Sequence, residues 1–130
     1  MKNKWEETGF EKFKGKSIKR CCQPYIRFVK YQNFERICFS SGAVREYFSN
    51  FECEGRVRLS LSYNNELNKI GVEVLDYNSN EIGSSCAKID SGEFLRIGIK
   101  LFLKHFNIDV EFDKKYTIQQ EDDNFLTIQL

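Results

Sequence analysis

The densest chemistry in this sequence lies near its start. Lys12, Lys14, Lys16, Lys19, Arg20, Arg27, Lys30 and Arg36 are interleaved with Phe10, Phe13, Tyr25, Phe28 and Tyr31. Cationic side chains neutralise phosphates and release their counterions, and aromatic faces stack on unpaired bases. That mixture points to nucleic acid. The predicted binding face comprises Lys12, Phe13, Lys14, Lys16, Lys19, Arg20, Tyr25, Arg27, Lys30 and Arg36. A plainer use of the same residues is a solubilising arm whose aromatics pack on the core. A second set, Arg56 and Arg58 with Arg27 and Arg36 on neighbouring strands, would present four guanidinium groups to a backbone. Pairing with Glu35, Glu46, Glu52, Glu54 and Glu73 accounts for those arginines as well, and is favoured.

Other chemistries find little support. His105 is the single imidazole. It lies beside an apolar helix face, with no Ser, Cys or Asp in visible partnership, so a packed or half-exposed histidine is expected rather than a catalytic one. The five cysteines (Cys21, Cys22, Cys38, Cys53 and Cys86) are odd in number and lack C-x-x-C spacing. They read as reduced, semi-buried residues of a cytoplasmic protein rather than as metal ligands. Glu121, Asp122 and Asp123 form an acidic turn, but consecutive residues cannot all point at one ion. There is no Gly-rich phosphate loop, H-E-x-x-H or G-x-S-x-G. The expectation is a non-catalytic protein with no cofactor and no metal.

Composition agrees with one domain. The chain has 130 residues, 41% hydrophobic and 30% charged, with 12 Phe, 6 Tyr and a single Pro. The aromatic count favours strands and a compact core. No apolar run is long enough to span a membrane, and the first residues lack the apolar centre of a secretory signal. The net charge of +1 hides an asymmetry: residues 1–30 carry net +6, and the later parts of the chain are mildly acidic.

Positioning of these residues falls to short alternating segments. Tyr25–Tyr31 alternates, with Ile26 and Phe28 on one side and Tyr25, Arg27, Val29 and Tyr31 on the other, which predicts a strand. Gln32-Asn33 turns the chain into a second strand, Phe34–Phe39. Ser40 or Ser41 offers an oxygen to cap a helix over Gly42–Asn50, whose face carries Ala43, Val44, Tyr47, Phe48 and Phe51. Arg56–Tyr63 and Lys69–Tyr77 read as a hairpin. The order then recurs: strands Ser84–Ile89 and Glu93–Ile97, a helix Ile99–Phe106, and a hairpin of Lys115–Gln120 with Phe125–Leu130. Phe34, Arg36 and Ile37 match Phe94, Arg96 and Ile97 sixty residues on. Val44, Tyr47 and Phe48 match Phe102, His105 and Phe106 at a spacing of 58.

The predicted fold class is therefore α+β: two tandem ββαββ units forming a pseudo-two-fold, β-rich domain with two short helices. Residues 1–20 form a basic and aromatic arm, 21–78 the first unit, and 79–130 the second, sharing one core with the first. Such a chain acts as a monomeric pseudo-dimer or as a homodimer.

Two resemblances attach to these residues. ERICFSSGAVREYF (Glu35–Phe48) and LRIGIKLFLKHFNI (Leu95–Ile108) sit where the swapped-hairpin domain of AbrB-type transition-state regulators has its strand and helix, with Phe106-Asn107-Ile108 near that family's Leu-Gly-Ile. The family's Pro before the helix and its Gly-Asp step are missing. The resemblance implies that the two halves together equal one DNA-binding dimer, and some members of that family are antitoxins. Separately, Phe13-Lys14-Gly15-Lys16 is similar to the Phe-x-Gly-Lys strand start of the transcription coactivator family that binds single-stranded DNA. Arg36-Ile37-Cys38-Phe39-Ser40 is similar to its Gly-Ile-Ser-Leu step into a helix. Ser17-Ile18-Lys19-Arg20 departs from that family's Asp-Ile-Arg-Glu-Tyr.

The leading functional expectation is non-catalytic binding of DNA or RNA, single strands included, through the basic and aromatic face. The alternative is a small protein-interaction module, such as an antitoxin or a phage-type inhibitor of a bacterial enzyme, using its acidic later portion.

Overall fold

The computed structural model describes residues 23–90 and 94–130. Eight strands form one closed antiparallel barrel: β1 (Tyr25–Tyr31), β2 (Phe34–Phe39), β3 (Arg56–Asn64), β4 (Lys69–Leu75), β5 (Ser85–Asp90), β6 (Phe94–Gly98), β7 (Lys115–Asp122) and β8 (Phe125–Gln129). Around the ring the order is β1-β2-β6-β5-β3-β4-β8-β7, and β7 returns to β1 through Tyr25 opposite Thr117 and Arg27 opposite Lys115.

Alternation builds the interior. Ile26 and Phe28, Ile37 and Phe39, Leu95 and Ile97, and Val57 and Leu59 point inward from their strands, joined by Ile70, Val72, Leu126 and Ile128. An eight-stranded barrel is just wide enough for side chains to fill it. Tyr116 meets Phe28 edge-on at 5.3 Å between ring centroids, and Phe48 meets Phe39 at 5.0 Å.

Two helical corners complete the core. The first opens as α1 (Ser41–Ala43), widens into a π-helical turn over Val44–Phe48, and closes with a 3-10 turn over Ser49–Phe51. The second is α2 (Lys100–Phe106). They follow β2 and β6, which are antiparallel neighbours, so the corners leave from opposite ends of the barrel. Ala43, Val44 and Phe48 from one, and Ile99 and Leu103 from the other, are buried in the same cluster as the strand residues. Ser40 is the cap. Its Oγ accepts from the Ala43 amide at 3.2 Å and the Tyr25 amide at 3.0 Å, and donates to the Gln23 carbonyl at 3.3 Å. The second corner has no side-chain cap at its start and ends on Asn107 in the left-handed region at φ 53°. There the Ile108 amide donates to the Leu103 carbonyl at 2.9 Å, the kind of bond that closes a helix C-terminus.

This architecture corrects the predicted α+β class of two ββαββ units. The segment spans read from alternation lie within a few residues of those observed, but their assembly differs. The helices are too short to form a layer. Within the first half, the hairpins β1–β2 and β3–β4 share no ladder; each pairs instead with strands of the second half. Every strand thus has a neighbour on both sides, and the sheet closes on itself.

The ring nonetheless has two-fold connectivity. Exchanging β1 with β5, β2 with β6, β3 with β7 and β4 with β8 returns the same list of neighbours. At the middle of the β2–β6 ladder, Ile37 stands opposite Ile97, its counterpart sixty residues on.

Replacing Ser40 by Ala leaves two amides without their acceptor at a buried corner. The expected loss is about 1–3 kcal/mol. It reads as a lower urea midpoint with an unchanged m-value, and an unaltered midpoint would refute the assignment.

Candidate nucleic-acid interface

The outward positions of β1, β2 and β6 are the complement of the core positions. In β1 they are Tyr25, Arg27, Val29 and Tyr31; in β2 they are Phe34, Arg36 and Cys38; in β6 they are Phe94, Arg96 and Gly98. Register then sets the neighbours across strands. Arg27 lies opposite Cys38, and Cys38 opposite Arg96. Val29 lies opposite Arg36, and Tyr31 opposite Phe34.

Apart from Tyr25 and Gly98, these residues line a shallow groove of about 640 Å³. Its cations are Arg27, Arg36 and Arg96, and its rings are Tyr31, Phe34 and Phe94, with no carboxylate in the lining. The rings are unusually open: Tyr31 is 69% exposed, Phe34 58% and Phe94 40%. Strand residues at outward positions gain little from burial, so these rings are not holding the fold together. The Arg36 guanidinium lies over Phe34 at 5.5 Å, which keeps ring and charge side by side. Arg96 lies 3.8 Å from Asp90, a half-exposed pair of little energetic weight.

The arrangement shares the pseudo-two-fold relation. Phe34 and Arg36 on β2 correspond to Phe94 and Arg96 on β6, about the central pair Ile37 and Ile97. Each half of the chain therefore contributes one ring and one guanidinium from the same strand.

Cys38 sits among the three arginines. Burial pushes its thiol above the ordinary value. Arg96, Arg27 and Arg36 pull it back only part of the way, and Asp90 adds a small upward push. A protonated thiol is a poor nucleophile, so the group serves as lining rather than as reactive chemistry.

Of the sequence-predicted residues, the structure brings Arg27 and Arg36 together in the groove. Tyr25 shares their outward side, with Lys115 Nζ at 4.6 Å from its ring. Lys30 faces the other way: it lies 3.9 Å from Glu35 and over Phe112 at 5.9 Å, because its place in the alternation follows Ile26 and Phe28. Lys12, Phe13, Lys14, Lys16, Lys19 and Arg20 lie outside the described residues. Arg56 and Arg58 are not on strands adjacent to β1 or β2. Arg58 is held structurally, donating to the Tyr77 carbonyl at 3.1 Å and to Ser84 Oγ at 3.2 Å. The expected pairing of arginines with Glu35, Glu46, Glu52, Glu54 and Glu73 is absent among the described residues, where the ion pairs are Lys30–Glu35, Arg96–Asp90 and Lys114–Glu111.

Sequence reasoning missed Arg96, Phe34 and Phe94 as site residues. The signal was present in the match of Phe34 and Arg36 to Phe94 and Arg96. His105 is exposed and meets Phe106 edge-on at 4.7 Å. In the acidic turn Glu121 accepts from Thr127 Oγ1 at 2.8 Å and Asp122 from the Asp123 amide at 2.8 Å, and no metal-holding cluster occurs among the described residues. No described helix is long and apolar enough to cross a membrane. No family model, curated protein or solved structure matches this chain.

The Cys38 environment has a measurable consequence. With iodoacetamide at pH 8, read by peptide mass spectrometry, Cys38 is expected to label more slowly than exposed Cys53 and Cys86. Its rate should still be climbing as pH passes 9, because the raised titration delays the thiolate. Fastest labelling at Cys38 would contradict this description.

Proposed function

We propose that this is a non-catalytic nucleic-acid-binding protein that uses the outer face of β1, β2 and β6. The observation that carries the reading is the groove in which Arg27, Arg36 and Arg96 stand among the exposed rings of Tyr31, Phe34 and Phe94, with no carboxylate lining it. Guanidinium groups bind phosphate oxygens with fixed geometry, and open rings accept bases. Buried rings would serve the fold, whereas these are open to solvent in large part, Phe34 with the Arg36 guanidinium over its ring. The chain adds Lys12, Lys14, Lys16, Lys19 and Arg20 shortly before β1. The free thiols of Cys38, Cys53 and Cys86 suit a reducing compartment such as the cytoplasm.

Fluorescence anisotropy with labelled DNA and RNA oligonucleotides tests this. Three groove contacts to a single strand correspond to a roughly 20-fold loss of affinity between 50 and 200 mM salt. Arg27→Ala, Arg36→Ala and Arg96→Ala should each weaken binding and flatten that dependence. Phe34→Ala and Phe94→Ala should each cost about 1–3 kcal/mol if a base stacks there. Absence of binding at 50 mM salt, or indifference to the arginine substitutions, would remove the proposal.

One observation favours a second reading, a protein-interaction module. On α2, Leu101 is 82% exposed and Phe106 41%. Phe106 joins Phe102 at 5.1 Å and Tyr63 at 5.8 Å, forming an apolar surface away from the groove. Capture of one stoichiometric protein after nuclease treatment, lost on Leu101→Asp, would decide for that reading.

A further inference from the structure

The ladders align a longer feature than the groove. Lys115 on β7 lies opposite Arg27 on β1. Arg27 lies opposite Cys38 on β2, and Cys38 opposite Arg96 on β6. The β5–β6 ladder comprises Ile89 opposite Leu95 and Asp90 opposite Phe94, and the same register continued by one residue brings Lys88 level with Arg96. Lys88 in turn lies opposite Arg56 on β3. One transverse row thus crosses six adjacent strands and carries a cation on five of them, with Cys38 as the exception.

All five cations are exposed, since each alternates along its strand with a core residue: Lys115 with Tyr116, Arg27 with Ile26 and Phe28, Arg96 with Leu95 and Ile97, Lys88 with Ala87 and Ile89, Arg56 with Val57. Among the described residues the row's one ion pair is Arg96–Asp90, at 3.8 Å. The row stops at Arg56 because the β3–β4 ladder begins only at Arg58. Neighbouring strands lie about 4.8 Å apart, so five steps make a track of about 24 Å. The groove's rings flank it, Tyr31 and Phe34 on one side and Phe94 on the other.

Resting on the nucleic-acid reading above, we propose that this row is the path of the sugar–phosphate backbone, and that the ligand is a single strand wrapped transversely across the barrel strands. Curvature selects the ligand. Six of eight strands take the row around most of the barrel. Duplex DNA, with a persistence length of about 50 nm, does not bend around so narrow a body, whereas a single strand does. A rigid duplex would touch only the few cations on one side. A track of this length holds a short stretch of single strand, at the lower end of the roughly 4–16 nucleotides that one single-strand-binding fold covers.

The test uses residues at the two ends of the row, outside the groove. Anisotropy titrations of the full chain with oligothymidylates of four, eight and twelve nucleotides, and with a duplex, are carried out at several salt concentrations. Affinity should rise from four to eight nucleotides and gain little more at twelve, and the duplex should bind more weakly with a shallower salt slope. Lys115→Ala and Arg56→Ala should each lower the single-strand slope of log K against log salt by about 0.7. Lys104→Ala, an exposed cation on α2 away from the row, should leave it unchanged. Should the end variants keep the parental slope while Arg27→Ala and Arg36→Ala weaken binding, the transverse track is overturned and the groove function stands. A duplex that binds as tightly as the single strand, with the same slope, overturns the track too. If no oligonucleotide binds the parent protein, both readings fall together.

Discussion

In a closed ring of eight strands every strand has a hydrogen-bonded neighbour on each side, and each residue has one of two places, inside or outside. The rest of this molecule follows from that constraint. Inside, Phe28, Phe39, Leu95, Leu59, Val72 and Leu126 occupy the positions that alternation assigns, and Phe48 and Leu103 from the two corners join them. Outside, Arg27, Arg36 and Arg96 stand side by side on three neighbouring strands. Alternation puts each of the three outside but does not bring them together. They meet because the ladders between β1, β2 and β6 set their rows, and a slip of one residue in any ladder would turn a guanidinium into the core.

The energetic division between the two surfaces is correspondingly sharp. Interior residues contribute through apolar burial and dense contact, so their identities are restricted by volume. Outer rings such as Tyr31 and Phe34 contribute little to stability, and their exposure calls for another explanation. The thiol of Cys38 marks the border between the regimes: half-buried among guanidinium groups, it is held protonated by loss of solvent more strongly than the charges around it favour the thiolate.

Much of the local structure was legible in the sequence. YIRFVKY and FERICF alternate cleanly, and both became strands over the residues that alternation marks. Ser40 and Ser41 were equivalent as caps on paper; only the fold, which brings the Tyr25 amide to Ser40, separates them. The outward side of β1 was readable too, whereas Lys30, expected on the binding face, falls on the inward parity at the strand's end and pairs with Glu35. Closure was not legible. Alternation says which way a side chain points but not which strand lies beside it, and the pairings of β2 with β6 and β5 with β3 join residues separated by long stretches of chain. Hence Arg96 was invisible as a partner of Arg27, and Arg56 was assigned to the wrong neighbourhood.

The exchange of hairpins between the halves also governs how the chain reaches this state. When only the first half has left the ribosome, its two hairpins have no ladder with each other, and the outer edges of β1, β2, β3 and β4 all stand open. Unpaired edges are templates for misassociation. Each is later covered by a strand from beyond residue 84. Folding must therefore wait on contacts of large sequence separation, which form slowly. In a nascent first half those four edges therefore stay uncovered until the second half has been synthesised.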